Sequence, residues 1–365
     1  MPDPISGAFD IRANYEQKSY NMEVKMLKRR QFSVAACVAA VTLSAAVGSA
    51  SAQDLREITF VQPSPSAINS FPVFVAIGEG YFAEEGLDVT VEAINGSGAV
   101  LQALSAGQAH FGRPGPGPVL AARSRDVDAV FIYNVAARSN FGITVPVDSE
   151  IQSIDELAGK VIGTGTADGA EVGFARNVMS SVDMVAGEDF EFLTVGDGGP
   201  ATVAFQSGEM DAYAASTADS AILNQRGMPV RDITPSEFAR FFGNGIATMG
   251  GTIRDDRELV EKFGRAFAKG HAFALDDANR ETVLAHLAEG NPQEGEDKEF
   301  QSALFDEVRS KTIPVDASNG LGYMPPEVWE EWQASLVAGG DLAEPLDDLT
   351  AAYTNEFIAG WNEGL

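Results

Sequence analysis

The sequence predicts an α/β protein built as two lobes, and three observations carry that prediction. The chain has 365 residues, more than one core usually serves when a domain takes roughly 100–200 residues. Between residues 56 and 233, β-rich runs alternate with helical patterns, the βαβα order of a mostly parallel sheet covered on both faces. After about Phe241 the strand signals stop and helical patterns continue.

The first unit opens with Arg56–Gln62 (REITFVQ), which alternates and is β-rich, so it reads as a strand. Asn69–Phe82 reads as a helix with Pro72 in its first turn. Asp88–Ile94 is the next strand, and Ala99–Ala106 a helix ended by Gly107 in a left-handed cap. His110–Gly112 is a short strand, Pro118–Ser124 a helix and Ala129–Val135 a buried strand.

A second unit starts near Ser153, whose spacing to Glu156 matches a capping box. Strands are expected at Lys160–Thr164, Phe190–Val195, Asp211–Ala215 and Val230–Ile233. Helices are expected at Val172–Val182, Ala201–Ser207 and Asp219–Arg226. An internal echo links the units: Leu104–Phe111 and Phe205–Ala212 both run from a helix end through Gly into a strand.

Helices are expected further on at Asp256–Asp276, Arg280–Ala288, Asp297–Val308, Pro326–Val337 and Leu346–Glu363, returning to cover the first lobe. The chain then crosses between lobes twice, near Phe141–Pro146 and near Val230–Pro235. The lobes are read as residues 53–143 with 240–365, and residues 144–239. The spacings Tyr353, Phe357, Trp361 and Trp329, Trp332 read as buried helix faces.

Residues 26–52 read as an export signal. Met26 opens a basic stretch, Lys28-Arg29-Arg30; an apolar run follows from Phe32 to about Val47, and Ala50-Ser51-Ala52 is a cleavage signal. The run is shorter than the ~20 strongly apolar residues of a membrane span. A general secretory signal is preferred over a twin-arginine one, although Arg29-Arg30-Gln31-Phe32 resembles the latter. Residues 1–25 read as a spurious extension ahead of a start at Met26. Cys37 lies inside the apolar run, too early for lipid attachment, and as the one cysteine it excludes a disulfide framework. The site of action is read as the periplasm.

The net charge of −28 opposes nucleic-acid binding, because a phosphate backbone is repelled. It does not forbid an anionic ligand in a buried site. The three histidines are scattered and no HExxH or CxxC is present, so no metal and no cofactor is expected. No G-x-S-x-G nucleophile turn occurs either.

Ala76-Ile77-Gly78-Glu79-Gly80-Tyr81-Phe82-Ala83-Glu84-Glu85-Gly86-Leu87-Asp88-Val89 resembles the A-x-x-x-G-Y-F-x-x-x-G-L-x-V segment of one family. That family comprises the sulfonate, nitrate, taurine and thiamine-pyrimidine-type substrate-binding proteins of ABC importers. Ala106–Gly112, Ile154–Gly163 and Ser207–Ala212 resemble its later segments. The resemblance implies the type II periplasmic-binding-protein fold with two hinge crossovers, and permease and ATPase subunits as partners. The protein is read as a monomer. Some relatives make the thiamine pyrimidine as enzymes, but they depend on a cysteine-rich segment absent here. A sensor subunit of the same fold is a further alternative. The family strand corresponding to the one at His110 usually opens with Asp, a departure that weakens any transfer of substrate.

Ligands of open α/β sheets bind beyond the carboxyl ends of the strands, and in two-lobed proteins between the lobes. Ser64 and Ser66 follow the first strand, close to the helix start at Asn69. Ser97 and Gly98 open a helix whose amides favour an anion, or Ser97 is a plain N-cap. Arg113 follows a strand among Gly and Pro; its guanidinium suits a carboxylate or sulfonate, with an inter-loop salt bridge as the alternative. Tyr133 is either an aromatic wall or a core tyrosine, and Asn140 follows. Thr164, Thr166 and Asp168 lie on a glycine-rich turn without the Gly-Lys of a nucleotide loop. Asp197, Ser216 and Thr217 occupy the later turns. The expected solute is a small organic anion, with a neutral pyrimidine or flavin-like heterocycle as the alternative.

Overall fold

A computed structural model describes residues 55–365. The export signal and the segment before it lie outside the described residues.

The chain first lays down β1 (Arg56–Gln62), α1 (Phe71–Gly78), α2 (Tyr81–Glu84), β2 (Leu87–Ala93), α3 (Gly96–Ser105), β3 (Phe111–Gly112), α4 (Pro116–Arg123) and β4 (Ala129–Tyr133). It then forms β5 (Phe141–Pro146), β6 (Val161–Thr164), α5 (Ala170–Ser180), β7 (Glu191–Thr194), α6 (Gly199–Ser207), β8 (Ala212–Ser216), α7 (Thr217–Gln225) and β9 (Val230–Asp232). The rest holds β10 (Ile246–Met249), α8 (Gly250–Asp255), α9 (Arg257–Leu275), α10 (Arg280–Gly290), α11 (Lys298–Thr312), α12 (Pro326–Ala338) and α13 (Ile358–Trp361).

Two five-stranded sheets result, ordered β2-β1-β3-β10-β4 and β7-β6-β8-β5-β9. They share one plan. In each, three parallel strands are followed by one antiparallel strand and an edge strand. The internal echo has its cause here: Leu104–Phe111 and Phe205–Ala212 each lead into the third strand of their sheet. Gly107 and Gly208 end the helices at φ 67° and 72°, a region that costs a side chain energy.

The antiparallel strands β5 and β10 were not anticipated. Phe141–Pro146 was expected to be a crossover, yet β5 lies between β8 and β9. Val230–Asp232 forms the strand expected at Val230–Ile233, at the sheet edge, and the second crossing begins after it. The passages between sheets run through residues 134–140 and 233–245. Each sheet therefore receives its antiparallel strand directly from a passage.

The expected helix at 69–82 splits at Gly80, which adopts φ 78°. The capping box at Ser153 does not form: its side chain makes no cap bond, and Glu156 accepts from the Gln152 amide at 2.8 Å. The expected helix at Leu346–Glu363 is reduced to one turn at α13. Asp348 accepts from Thr350 N (3.0 Å) and Thr350 Oγ1 (2.6 Å), a local turn that competes with helix. Tyr353 is extended and bridges Phe131. It still stacks on Trp329 at 5.0 Å, and Trp361 stacks on Phe357 at 5.2 Å.

The helical segment covers the first sheet, and part of it continues past. α9 buries Phe263 and Phe267 against α1 and α2, and Phe263 stacks on Phe111 at 3.8 Å. α12 instead packs between α4 and α5, so Trp329, Trp332 and Leu336 join side chains from both sheets in one core. Arg176 on α5 pairs with Asp341 just beyond α12. Trp332 Nε1 donates to the Phe242 carbonyl at 3.2 Å, tying α12 to the second passage.

Candidate functional site

Between the sheets lies a cavity of about 370 Å³, walled by the loops after β1, β2, β3, β6, β7 and β8. Of the residues expected to bind ligand, Ser64, Ser66, Asn69, Ser97, Arg113, Asn140, Thr166, Asp197 and Ser216 stand in its wall.

The first-lobe wall is built by local capping. Ser66 Oγ accepts from Asn69 N at 3.1 Å. Glu294, from the segment after α10, accepts from Ala67 N (2.9 Å) and Ile68 N (3.1 Å). Ser97 is not an N-cap, because α3 already starts at Gly96; its hydroxyl accepts from Gly115 N at 3.2 Å.

Arg113 is the central feature. It is only 5% exposed, its Nε has no partner, and no carboxylate among the described residues pairs with it. Burial lowers its pKa to about 10, which leaves it charged at neutral pH. Asn244 Nδ2 donates to the Arg113 carbonyl at 3.3 Å. Asn244 Oδ1 is buried without a donor and belongs to the same wall. The Asn244 amide also donates to Asn140 Oδ1 at 3.4 Å, so the two passages meet on the cavity floor.

The second-lobe wall is acidic. Glu171 accepts from Thr166 N (3.0 Å) and Thr166 Oγ1 (3.1 Å); burial, with Asp197 nearby, pushes its carboxyl up to about 7. Burial raises Asp197 as well. Asp219 accepts from Ser216 Oγ (2.6 Å), Ser216 N (3.1 Å) and Gly198 N (3.2 Å), closing a capping box on α7. Arg226, Ile222 and the half-buried Phe141 complete this side.

The raised Glu171 carboxyl has a sign that can be tested. The folded chain keeps a proton that the unfolded chain releases near 4.5. This group's contribution to stability is therefore greatest below about 4.5 and falls as pH rises toward 7. The ligand-free protein is expected to melt at a higher temperature at pH 5.5 than at pH 7.5. Glu171→Gln is expected to flatten that difference in thermal unfolding, and an unaltered slope would refute the assignment.

Five expected residues lie elsewhere. Tyr133 is in the first-lobe core, 1% exposed, with its hydroxyl 2.8 Å from His271 Nδ1, because β4 is buried on both faces. Thr164 is buried in β6 beside Thr194 Oγ1 at 3.4 Å. Thr217 donates to the Asn140 carbonyl from its amide at 2.8 Å and supports the first passage. Gly98 and Asp168 touch each other across the lobes and line a second cavity. Of the wall residues not anticipated, Asp219 had a readable signal, the Ser216-x-x-Asp219 box. Asn244 and Glu294 had none, since one lies in the second passage beyond its expected bounds at Val230–Pro235 and the other reaches its partners across more than 200 residues.

No helix among the described residues is long and apolar enough to cross a membrane. The chain is 24% identical over 312 residues to the riboflavin-binding protein RibY of Chloroflexus aurantiacus, covering 84% of this chain and 87% of that protein. It is 23% identical over 292 residues to a formylaminopyrimidine-binding protein of Halalkalibacterium halodurans, covering 77% of this chain and 84% of that one. The solved structure of the alkanesulfonate-binding protein SsuA of Xanthomonas axonopodis pv. citri, bound to MOPS, matches with a TM-score of 0.65. The match has 16% identity and covers 83% of this chain and 99% of that one. The fold is thus the two-lobed periplasmic-binding-protein fold that the sequence resemblance implied. A family model described as "NMT1/THI5 like" matches residues 67–280, more than half of the chain, and the protein belongs to that family.

Proposed function

We propose that the protein is the extracytoplasmic solute-binding subunit of an ABC importer and that its solute is a nitrogen heterocycle. One observation carries the reading of the solute: an unpartnered donor, Arg113 Nε, and an unpartnered acceptor, Asn244 Oδ1, share one cavity wall. A ring with adjacent carbonyl and N–H groups satisfies both at once. A solute that buried either group without pairing it would lose about 1–3 kcal/mol, so the cavity selects for a ligand that satisfies both. The opposite wall holds Glu171, Asp197 and Asp219, which accept from ring N–H or amino groups. Phe141 offers an apolar face.

The names of the two relatives, riboflavin-binding and formylaminopyrimidine-binding, are consistent with such a ligand. Binding without turnover is the expected chemistry, and the lobes close on the solute by bending at residues 134–140 and 233–245. The closed form is then what a permease and ATPase complex reads.

A small organic anion is the second reading, favoured by the unpaired Arg113 and opposed by the facing carboxylates. Calorimetric titration of unfolded and refolded, ligand-free protein separates them. Riboflavin or an aminopyrimidine is expected to bind one to one, unchanged on release, and more tightly than an alkanesulfonate or nitrate. Tighter binding of either anion would favour the second reading. Conversion of the bound compound would refute the binding-protein reading.

A further inference from the structure

A second cavity, of about 860 Å³, lies along the seam between the lobes. α3 and α4 supply its first-lobe side, α5 its second-lobe side, and Leu336 with Asp341 the third. Both volumes fall within the range of about 300–1,000 Å³ typical of small-molecule sites.

The two cavities are neighbours. Gly169 lines both. Gly96 and Ser97 face the inner cavity, and Gly98 faces the outer one. Beside this junction stands the Asp168 side chain, which lines the outer cavity and whose carboxylate occupies the space that side chains at residues 96 and 98 would need. Asp168 is exposed, and its carboxylate takes no hydrogen bond or ion pair among the described residues. A rotation of that one side chain would open the inner cavity into the outer one.

We infer that the two cavities form one tract gated by Asp168, and that the solute is a heterocycle carrying an elongated, uncharged arm. This inference rests on the heterocycle reading above and extends it. The ring occupies the inner cavity against Arg113 and Asn244, and the arm passes Asp168 into the seam. The outer walls carry charges of both signs, Arg125 and Arg176 against Asp168 and Asp341, together with Gln102 and Ser105. That balance favours a neutral, hydrogen-bonding arm such as a polyol over a charged one. Because the outer cavity has walls on both lobes, the arm also holds the closed form together.

The test compares two probes with the same kind of ring system. Riboflavin carries a polyol arm and lumichrome carries none. Ala121 lines the outer cavity and not the inner one, so Ala121→Phe intrudes on the outer cavity alone. The ratio of riboflavin to lumichrome Kd, read by flavin fluorescence quenching, is expected to rise about tenfold or more as the arm loses its contacts. Gln102→Trp, at an exposed position on the same wall, is expected to act in the same direction and serves if Ala121→Phe misfolds. Arg113→Ala is expected to weaken both probes and move their ratio less than about twofold, since it acts on the shared ring. An unchanged ratio in the folded outer-cavity variants overturns the gated tract while leaving the heterocycle reading intact. Failure of the wild-type protein to bind either probe overturns that reading and this inference with it.

Discussion

Arg113→Ala is expected to lower affinity for the solute by about tenfold to a hundredfold, the 1.5–3 kcal/mol scale of a hydrogen bond to a charged group. The same substitution is expected to raise the melting temperature of the ligand-free protein. The two effects share one cause. A guanidinium that is 5% exposed, with Nε unpartnered and no ion pair among the described residues, has given up much of its hydration with no opposite charge in return. The same burial lowers its pKa to about 10. Removing it relieves the empty protein and deprives the ligand of its donor. A merely structural arginine would behave in the opposite way, losing stability and leaving affinity nearly unchanged. Calorimetric titration and thermal unfolding of the one variant separate the cases.

Gly115→Ala is expected to weaken binding on the order of a hundredfold, because it opposes closure rather than contact with the solute. Gly115 precedes α4 on the first lobe, and a methyl there would overlap the Ala170 side chain at the start of α5 on the second. Ala170 is fixed by its backbone and cannot swing away, so the lobes must part. Affinity then falls by the fraction of molecules still able to close, and about 3 kcal/mol against the closed form gives that hundredfold. The double variant Gly115→Ala/Ala170→Gly restores the space and is expected to recover most of the affinity. The coupling between the two positions is the quantity to measure. Additive losses would show that Gly115 acts through something other than the interlobe contact, such as its bond to Ser97 Oγ.

Much of this architecture was legible in the sequence, for reasons that lie in local chemistry. Strands such as Arg56–Gln62 and Ala129–Tyr133 announce themselves by β-branched and aromatic runs. Gly107 and Gly208 mark helix ends because few other residues adopt their backbone angles at low cost. β5 and β10 were hidden because their strand character depends on distant pairing. Phe141 pairs with Ser216 and Ala247 with Gly112, and Gly142, Pro146, Gly245 and Gly250 around them read as loop.

The site divided along the same line. Loops after parallel strands could be located from the strands, so Ser64, Ser97, Arg113, Thr166 and Asp197 fell in the wall. Tyr133 did not, because nothing local tells a cleft-facing tyrosine from one whose hydroxyl meets a buried His271. Asn244 and Glu294 enter the wall through long-range topology alone. Together with Glu171, they change what the cavity can hold. Arg113 read by itself points to an anion. Arg113 beside an unpartnered amide oxygen, facing three carboxylates, points to a ring with both donors and acceptors.

The central claim, a heterocycle held between the lobes by Arg113, is tested most directly by native mass spectrometry of the protein purified without refolding, with fragmentation of whatever it releases. The account predicts one nitrogen heterocycle per chain, lost in Arg113→Ala. Release of an aliphatic anion, or full occupancy by the heterocycle in Arg113→Ala, would contradict it.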